Sequence, residues 1–170
     1  MIRRLRESDL PGMMEWMHDT SINCNFRFDF SAMTEEKALD FIRNSFSSEN
    51  QNFAIVNEED EYMGTISLKN ISDCDRSAEY AIVTRSCAHG KGYAYAATRE
   101  ILRYGFAELG LRRIYLNVLE KNRRANAFYQ KCGFQQIYNS EKNIFVGEKK
   151  MKLNWYEMTS TKYYENRGGV

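Results

Sequence analysis

Apolar and polar residues follow two rhythms along this chain, and each rhythm predicts a type of secondary structure. Residues 2–6 alternate apolar and charged side chains, as a strand does. A helix then begins after an N-cap at Ser8-Asp9, has Pro11 in its first turn, carries apolar residues at 13, 14, 16 and 17, and ends near Asp19. Thr34 precedes a second helix, because acidic residues occupy its first turn and apolar residues then recur at helical spacing. The polar and aromatic stretch 21–30 between the two helices is predicted to be a loop.

The rest of the chain predicts a further series of strands and helices. In order, these are two strands forming a hairpin, a fourth strand, a long helix, a fifth strand, a short helix and two last strands. Their ranges are 53–56, 62–68, 78–84, 93–109, 113–119, 125–131, 134–138 and 149–155. A strand–helix–strand crossover makes the fourth and fifth strands parallel neighbours and places a ligand crevice at the end of the fourth strand. The fold class is therefore mixed α/β with a largely antiparallel sheet.

Length and composition indicate a single domain. The chain has 170 residues, of which 43% are hydrophobic, and this is enough to build one complete core. We expect the domain to span residues 1–155. Residues 156–170 are expected to form a flexible tail.

Charge and cysteine content exclude several classes of protein. Lysine and arginine number 24 against 23 aspartate and glutamate residues, so no overall field favours nucleic acid or an anionic membrane. No apolar segment resembles a signal peptide or a membrane span, and we expect a soluble cytoplasmic protein. Because the four cysteines are widely spaced and only two histidines are present, we expect neither a metal site nor a disulfide framework.

The first segment with candidate chemistry lies between the fourth strand and the long helix. Its sequence is His89-Gly90-Lys91-Gly92-Tyr93-Ala94. Glycines let the backbone approach a ligand closely, and unpaired amides at a helix N-terminus attract phosphate oxygens, to which Lys91 adds a charge. It is neither a Walker A loop, which needs Gly-Lys-Ser/Thr, nor a dinucleotide fingerprint, which needs a third spaced glycine. A glycine turn that merely starts a helix is the structural alternative.

The second segment runs from Asn122 to Phe134 and contains Tyr129. A phenol with an ordinary pKa of about 10 stays protonated at neutral pH and can act as a proton donor. An amphipathic helix with Phe128 and Tyr129 as core aromatics would give the same pattern. The pairing of the two segments at this separation favours a functional site.

Together, the two segments resemble the signatures of the GNAT superfamily of N-acetyltransferases. The phosphate loop of that family follows the pattern Gln/Arg-x-x-Gly-x-Gly/Ala, and His89, Gly92 and Ala94 fill its positions, with histidine as the departure. In the second signature, an asparagine holds the pantetheine arm and a tyrosine faces the leaving sulfur. Asn122 and Tyr129 match those two places. The first half of the chain looks closest to the ribosomal-protein-type and amino-sugar branches.

The resemblance implies a fold, a co-substrate and a reaction. The fold would be a largely antiparallel sheet of six to seven strands flanked by about four helices, with strands four and five parallel and splayed around the cofactor. The reaction would move an acetyl group from acetyl-CoA directly to a primary amine, without a metal. Tyr129 would be the catalytic acid, and Glu79 would relay the amine's proton through water. A surface position on an alternating strand is the other interpretation of Glu79.

The same resemblance implies a set of cofactor contacts. The backbone of the fourth strand would pair with pantetheine and polarise the thioester carbonyl. The expected cofactor-binding residues are Ile82, Val83, Thr84, His89, Gly90, Lys91, Gly92, Tyr93, Ala94, Asn122, Ala125 and Lys131. A covalent route through Cys87 is the weaker option, because no suitably spaced histidine accompanies it.

The acceptor is the least constrained part of the hypothesis. Trp16 and residues 25–30 lie in the region that lines acceptor pockets in this superfamily, although these aromatics would also serve to cap the core. A protein N-terminus, an amino sugar or another small amine would fit. An exposed edge strand near the carboxyl end could pair in a homodimer.

Three alternatives to an enzyme stay open. A domain of the same fold could bind CoA as a sensor or scaffold, and an unrelated α/β domain could bind another phosphate ligand. A nucleic-acid role ranks third, because it rests on one local basic cluster. That cluster contains Arg112, Arg113, Arg123 and Arg124, which could equally face the adenosine phosphates.

Overall fold

A seven-stranded sheet lies at the centre of the fold. The computed structural model describes residues 1–24, 26, 30–138, 144–146 and 149–168. The strands are β1 (Ile2–Arg4), β2 (Gln51–Val56), β3 (Tyr62–Ser72), β4 (Ser77–Thr84), β5 (Arg113–Leu119), β6 (Gln135–Ile137), β7 (Ile144–Val146), β8 (Lys149–Met151) and β9 (Leu153–Thr159). The helices are α1 (Leu10–His18), α2 (Thr20–Asn23), α3 (Glu35–Arg43), α4 (Tyr93–Arg103), α5 (Arg123–Lys131) and α6 (Ser160–Gly168).

The order of strands in this sheet is β1-β2-β3-β4-β5-β9-β6, and β7 pairs with β8 in a separate hairpin. Strands β4 and β5 pair in parallel, whereas the other neighbours pair antiparallel. The long helix α4 connects the parallel pair, as a crossover connection requires. The predicted mixed α/β fold with parallel fourth and fifth strands is therefore confirmed.

Two hydrophobic clusters cover the two faces of the sheet. Along β2, Phe53 and Ile55 belong to one cluster, while Ala54 and Val56 belong to the other, as the alternation of a strand requires. Helices α4, α5 and α6 contribute to the first cluster, and α1, α2 and α3 contribute to the second. Helices on both faces explain why β2 is buried at every position.

The parallel pair opens partway along its length. Strand β4 pairs with β5 at Ser77, Ala78 and Glu79, and the pairing ends there. Beyond this point β4 stays paired with β3 as far as Thr84, while β5 stays paired with β9 as far as Leu119. The two strands therefore diverge and leave a gap in the middle of the sheet.

The carboxyl-terminal segment is part of the fold. Strand β9 continues to Thr159 between β5 and β6, and α6 follows it directly. Tyr156, Met158 and Tyr163 are buried members of the first hydrophobic cluster. The expectation that the domain ends at residue 155 and that a flexible tail follows is therefore wrong. The alternation of Tyr156 and Met158 is what extends the strand.

Three other boundaries differ from the prediction. The predicted loop 21–30 begins inside the short helix α2, where the Asp19 side chain accepts a hydrogen bond from the Ser21 amide. The predicted long helix ends at Arg103 and continues as one wider, π-helical turn, Tyr104–Glu108. The predicted last strand is divided into β8 and β9. No helix within the described ranges combines the length and the apolarity that crossing a bilayer requires.

Candidate active site

A cavity of about 540 Å³ lies where β4 and β5 separate. Trp16 and Phe30 line it from one hydrophobic cluster, and Tyr80 and Tyr129 line it from the other. Because these clusters cover opposite faces, the cavity passes through the sheet. The predicted site residues that line it are Glu79, Ile82, Val83, Thr84, His89, Ala94, Asn122, Ala125 and Tyr129.

The loop before α4 presents backbone amides to the surrounding space. Gly90 and Gly92 have φ angles of 77° and 86°, a left-handed conformation that residues with a Cβ rarely adopt. A Cβ at either glycine would meet no atom within 4 Å, so this space is open to a ligand. Gly92 is the N-cap of α4, and no side chain of the described residues caps that helix. The first amides of α4 are thus available to an anion, as a phosphate site requires.

His89 holds Arg124 beside this loop. Arg124 Nη1 donates a hydrogen bond of 3.1 Å to His89 Nδ1, which accepts it only when that nitrogen carries no proton. Burial and, next, the charge of Arg124 lower the pKa of His89 below its ordinary value of 6.5. The neutral imidazole is therefore favoured. Arg124 also lines the cavity and places a permanent cation there.

Some of the predicted contacts lie outside the main cavity. Lys91 and Tyr93 line a second cavity of about 380 Å³ at the start of α4, together with Gly92 and Glu58. The Tyr93 hydroxyl donates a hydrogen bond of 3.3 Å to Glu58 Oε2. Lys131 lines neither cavity, and its Nζ lies 5.8 Å from the ring centroid of Tyr95. A cofactor contact of Lys131 stays a prediction.

Strand β4 offers an open backbone edge to the cavity. From Tyr80 to Thr84 it has no partner strand on the β5 side among the described residues. An extended ligand with amide groups can add to such an edge as a strand does. Ile82 and Val83 lie on this edge. Asn122 caps α5 across the gap, where its Oδ1 accepts a hydrogen bond of 3.1 Å from the Ala125 amide.

Tyr129 is a nearly buried phenol on α5. Tyr129 is 8% exposed, and its ring packs edge-on against the ring of Tyr80, with the ring centroids 6.0 Å apart. Burial raises the pKa of Tyr129 well above its ordinary value, so the hydroxyl stays protonated at neutral pH. The described residues supply no hydrogen-bond partner to this hydroxyl, which can therefore donate to a ligand.

Glu79 lies on the opposite face of the sheet from Tyr129. Consecutive strand residues point to opposite faces, and Tyr80, the next residue, is the one that contacts Tyr129. Glu79 is also the last β4 residue paired with β5, so it lies where the gap begins. Its carboxylate accepts hydrogen bonds from Asn70 Nδ2 at 3.0 Å and from Asn117 Nδ2 at 3.3 Å. These amides fix the carboxylate beside the cavity.

Three aromatic rings form one cluster at the cavity wall on the α1 side. The ring centroid of Trp16 lies 6.1 Å from that of Phe26 and 5.1 Å from that of Phe30. Phe26 and Phe30 are themselves 5.6 Å apart. The other residues predicted for this region lie outside the described residues, namely Asn25, Arg27, Phe28 and Asp29.

The residues predicted from the sequence omit several that line the cavity. Thr65, Ser67 and Lys69 occupy every second position of β3, so polar alternation within a buried hairpin was the signal that could have found them. The sequence indicates Arg124 only as one residue of a basic cluster. Its place beside the phosphate loop depends on the contact with His89, which no spacing in the sequence reveals.

The class that this geometry defines is a protein that binds an extended, phosphate-bearing ligand along an open strand edge, in a cavity lined from both faces of the sheet. Known proteins agree with that class. The family described as "Acetyltransferase (GNAT) domain" matches residues 1–135. The chain therefore belongs to the GNAT family and is an acetyl-CoA-dependent N-acetyltransferase.

Individual relatives cover most of the chain. Spermidine N(1)-acetyltransferase of Vibrio cholerae is 25% identical over 167 residues, which are 95% of this chain and 94% of that protein. Acetyltransferase PseH of Campylobacter jejuni is 22% identical over 141 residues, or 83% of this chain and 85% of that protein. These relatives support an enzyme and give no support to a sensor or scaffold of the same fold.

Solved structures confirm the fold. Spermidine N-acetyltransferase from Vibrio cholerae in complex with CoA and spermine superposes with a TM-score of 0.86 at 22% identity, covering 96% of this chain and 97% of that one. The dodecameric form of that enzyme superposes with a TM-score of 0.75 at 24% identity, covering 98% of this chain and 96% of that one. At these identities the likeness concerns the arrangement of the backbone.

Proposed function

We propose that Glu79 and Tyr129 catalyse the N-acetyl transfer from opposite faces of the sheet. The neutral nitrogen of the acceptor attacks the thioester carbonyl carbon of acetyl-CoA, and its surplus proton passes through water to Glu79. The carbon–sulfur bond then breaks, and the departing sulfur receives a proton from the Tyr129 hydroxyl. The products are an N-acetyl amine and CoA, and solvent returns the two residues to their starting protonation states.

The through-sheet cavity is the observation that supports this proposal best. Glu79 and Tyr80 are consecutive, so one strand places a carboxylate on the acceptor face and a contact to Tyr129 on the other. Cys87, by contrast, is exposed and is not among the cavity residues. Direct transfer therefore fits the geometry better than a route through a covalent cysteine intermediate.

The residues on the α4 side fit the donor. The amides at the start of α4, with Arg124 beside them, match the negative charge of a pyrophosphate. The open edge of β4 at Ile82, Val83 and Thr84 matches the two amides of a pantetheine arm and could polarise the thioester carbonyl. Asn122 and Ala125, which line the cavity across the gap, would complete the site.

The acceptor in this proposal is a small molecule. The aromatic cluster and the buried sheet face line the acceptor side of the cavity, which suits a compact amine better than a protein surface. Among small amines, polyamines are one candidate class of acceptor, because relatives of this chain are named for spermidine. We also propose that the enzyme acts in the cytoplasm, since its four cysteines are all free thiols, as a reducing compartment maintains them.

Replacement of the two catalytic residues tests the mechanism. Release of the CoA thiol from acetyl-CoA is measured with an amine panel for the wild type, Tyr129→Phe and Glu79→Gln. We expect Tyr129→Phe to lower kcat at least about tenfold, as the loss of a general acid does. Glu79→Gln should lower the rate most near neutral pH and less at high pH, where the amine is already neutral.

Two matched controls separate catalysis from folding. Tyr138→Phe removes the hydroxyl of a tyrosine that is 78% exposed, and Glu120→Gln neutralises an exposed carboxylate in the turn after β5. Both controls should keep the wild-type rate. Full activity of Tyr129→Phe would remove Tyr129 from the mechanism, and a Glu79→Gln rate that falls equally at all pH values would exclude proton transfer to Glu79.

A further inference from the structure

The floor of the cavity on the acceptor side is polar although it is buried. Asn52, Thr65 and Ser67 line the cavity and are 4%, 6% and 3% exposed. In the strand register, Ser67 lies opposite Asn52 on β2 and opposite Ala81 on β4, so the three side chains share one face. The small side chain of Ala81 leaves room above this part of the floor.

These polar groups already bond to one another, and they retain acceptor positions. Ser67 Oγ donates a hydrogen bond of 2.7 Å to Asn52 Oδ1, and Asn52 Nδ2 donates one of 2.9 Å to the Ser45 carbonyl. A hydroxyl that has donated its single proton still has lone pairs with which to accept. Thr65 Oγ1 shares a hydrogen bond of 2.7 Å with the Tyr62 hydroxyl. The floor is therefore suited to a ligand that brings hydroxyl donors.

The opposite wall of the cavity is apolar. It contains the Trp16, Phe26 and Phe30 cluster, and Ile22 and Met33 extend it. The indole Nε1 of Trp16 already donates to the Tyr62 hydroxyl, so the wall offers ring faces and edges in place of polar groups. A ligand that fills this space needs one apolar face and one edge of hydroxyl groups.

The charges around the cavity argue against a polyamine. Among the described residues that line it, Glu79 is the one carboxylate, and Lys69 lies directly opposite Glu79 in the strand register. Spermidine carries further ammonium groups beside the one that reacts. A buried ammonium without a carboxylate partner costs several kcal/mol. The charges of the cavity residues that the structure describes therefore favour an acceptor whose body is uncharged.

We propose that the acceptor is an amino sugar, a primary amine carried on a hydroxylated ring. The ring hydroxyls donate to Ser67 and Asn52, the apolar ring face packs on Trp16 and Phe30, and the amine points toward Glu79. This assignment rests on the proposed N-acetyl transfer. The proposed mechanism specifies only the nitrogen that reacts, and this assignment specifies the rest of the acceptor molecule.

A comparison of acceptors by the wild-type enzyme tests the assignment. The probes are aminohexoses with the amine at ring positions 2, 3 and 4, cyclohexylamine as the ring without hydroxyls, and spermidine. CoA release and the mass of the N-acetyl product are both recorded. We expect at least one aminohexose to exceed cyclohexylamine and spermidine at least about tenfold in kcat/KM, because a site built to bond hydroxyls rejects analogues that lack them.

A substitution in the floor supplies an independent readout. Ser67→Ala should lower kcat/KM for the aminohexose about three- to tenfold, the worth of one hydrogen bond, and should leave cyclohexylamine unchanged. Ser72→Ala, on the same strand but outside the cavity, should leave both rates unchanged. Thermal unfolding of both variants verifies that they are folded, and the wild-type comparison holds whether or not Ser67→Ala folds.

The outcomes distinguish the assignment from the reaction itself. A preference for spermidine, or equal rates with cyclohexylamine and every aminohexose, would overturn the amino-sugar assignment and leave the acetyl transfer standing. A Ser67→Ala loss of equal size for all amines would also overturn it. If no amine of the panel is acetylated while CoA binds, the proposed transfer itself fails.

Discussion

At position 89 a histidine stands where the family pattern has glutamine or arginine, and Arg124 on α5 places a cation beside it. The pairing makes the phosphate loop sensitive to pH. Because the pKa of His89 is lowered, its contribution to stability is complete above pH 6.5 and is lost as the pH falls through the folded pKa. Below that pH two cations lie side by side.

Removal of Arg124 should raise the pKa of His89. Burial is the larger cause of the lowering and remains in Arg124→Ala, so the pKa should move toward 6.5 without reaching it. The imidazole resonances are followed by NMR against pH, and because the chain has two histidines the assignment needs only to separate two sets of signals. Arg123→Ala is the matched control. An unchanged pKa of His89 in Arg124→Ala would show that the charge of Arg124 does not lower that pKa.

At the scale of elements, the strands and helices with simple periodicity could be predicted from the sequence. Strand β5 was predicted at its observed bounds, and Thr34 caps α3 as expected. The through-sheet cavity could not be predicted, because it depends on where the pairing of β4 with β5 stops. The strand-like alternation of residues along β4 is the same before and after Glu79, the last paired residue. The alternation of Thr65, Ser67 and Lys69 along β3 marks one polar face of the strand, but it does not show that a cavity lies over that face.

Substitution of Gly92, the N-cap of α4, tests whether the loop 89–94 binds the donor. Gly92→Ala should raise the KM for acetyl-CoA on the order of tenfold, since a Cβ would enter the open space proposed for the donor phosphates, and should change kcat less. It should also lower the free energy of unfolding by about 1–2 kcal/mol, the cost of a left-handed alanine. Kinetics with varied acetyl-CoA and urea unfolding measure the two effects.

Gly110→Ala is the control for backbone strain. Gly110 has a φ angle of 63° and lies beyond the other end of α4, outside both cavities. Gly110→Ala should lose at least as much stability as Gly92→Ala, because its Cβ would also meet the Arg76 guanidinium at 2.9 Å, while its KM stays at the wild-type value. Equal KM values for the two variants would mean that the phosphate loop does not bind the donor.

At the scale of the whole molecule, the last helix closes the core on the α4 face. Tyr163 of α6 is 7% exposed, and its ring centroid lies 4.9 Å from that of Phe106, at the end of the long helical segment. The polar composition of residues 160–168 hides this role, because a few buried side chains decide the packing while the rest face water. The sequence of residues 160–168 therefore suggests a flexible tail, whereas in the structure these residues form a helix that packs on the core.

Tyr163→Ala should lower the free energy of unfolding by about 3 kcal/mol, since it removes a buried aromatic ring and leaves a cavity. Tyr164→Ala is the matched control, because its side chain is 52% exposed and should cost less than about 1 kcal/mol. Urea unfolding of both variants measures the difference. Equal losses for the two would mean that α6 does not belong to the cooperative core.

The gap between β4 and β5 also decides how the two substrates meet. In the proposed arrangement the donor binds on one face and the acceptor on the other, so neither blocks the entrance of the other and each product can leave by the way its precursor came. The enzyme therefore has no structural need for a fixed order of binding. The same geometry defines an inhibitor, in which CoA and an acceptor analogue joined through one short acyl bridge would thread the sheet and occupy both faces at once.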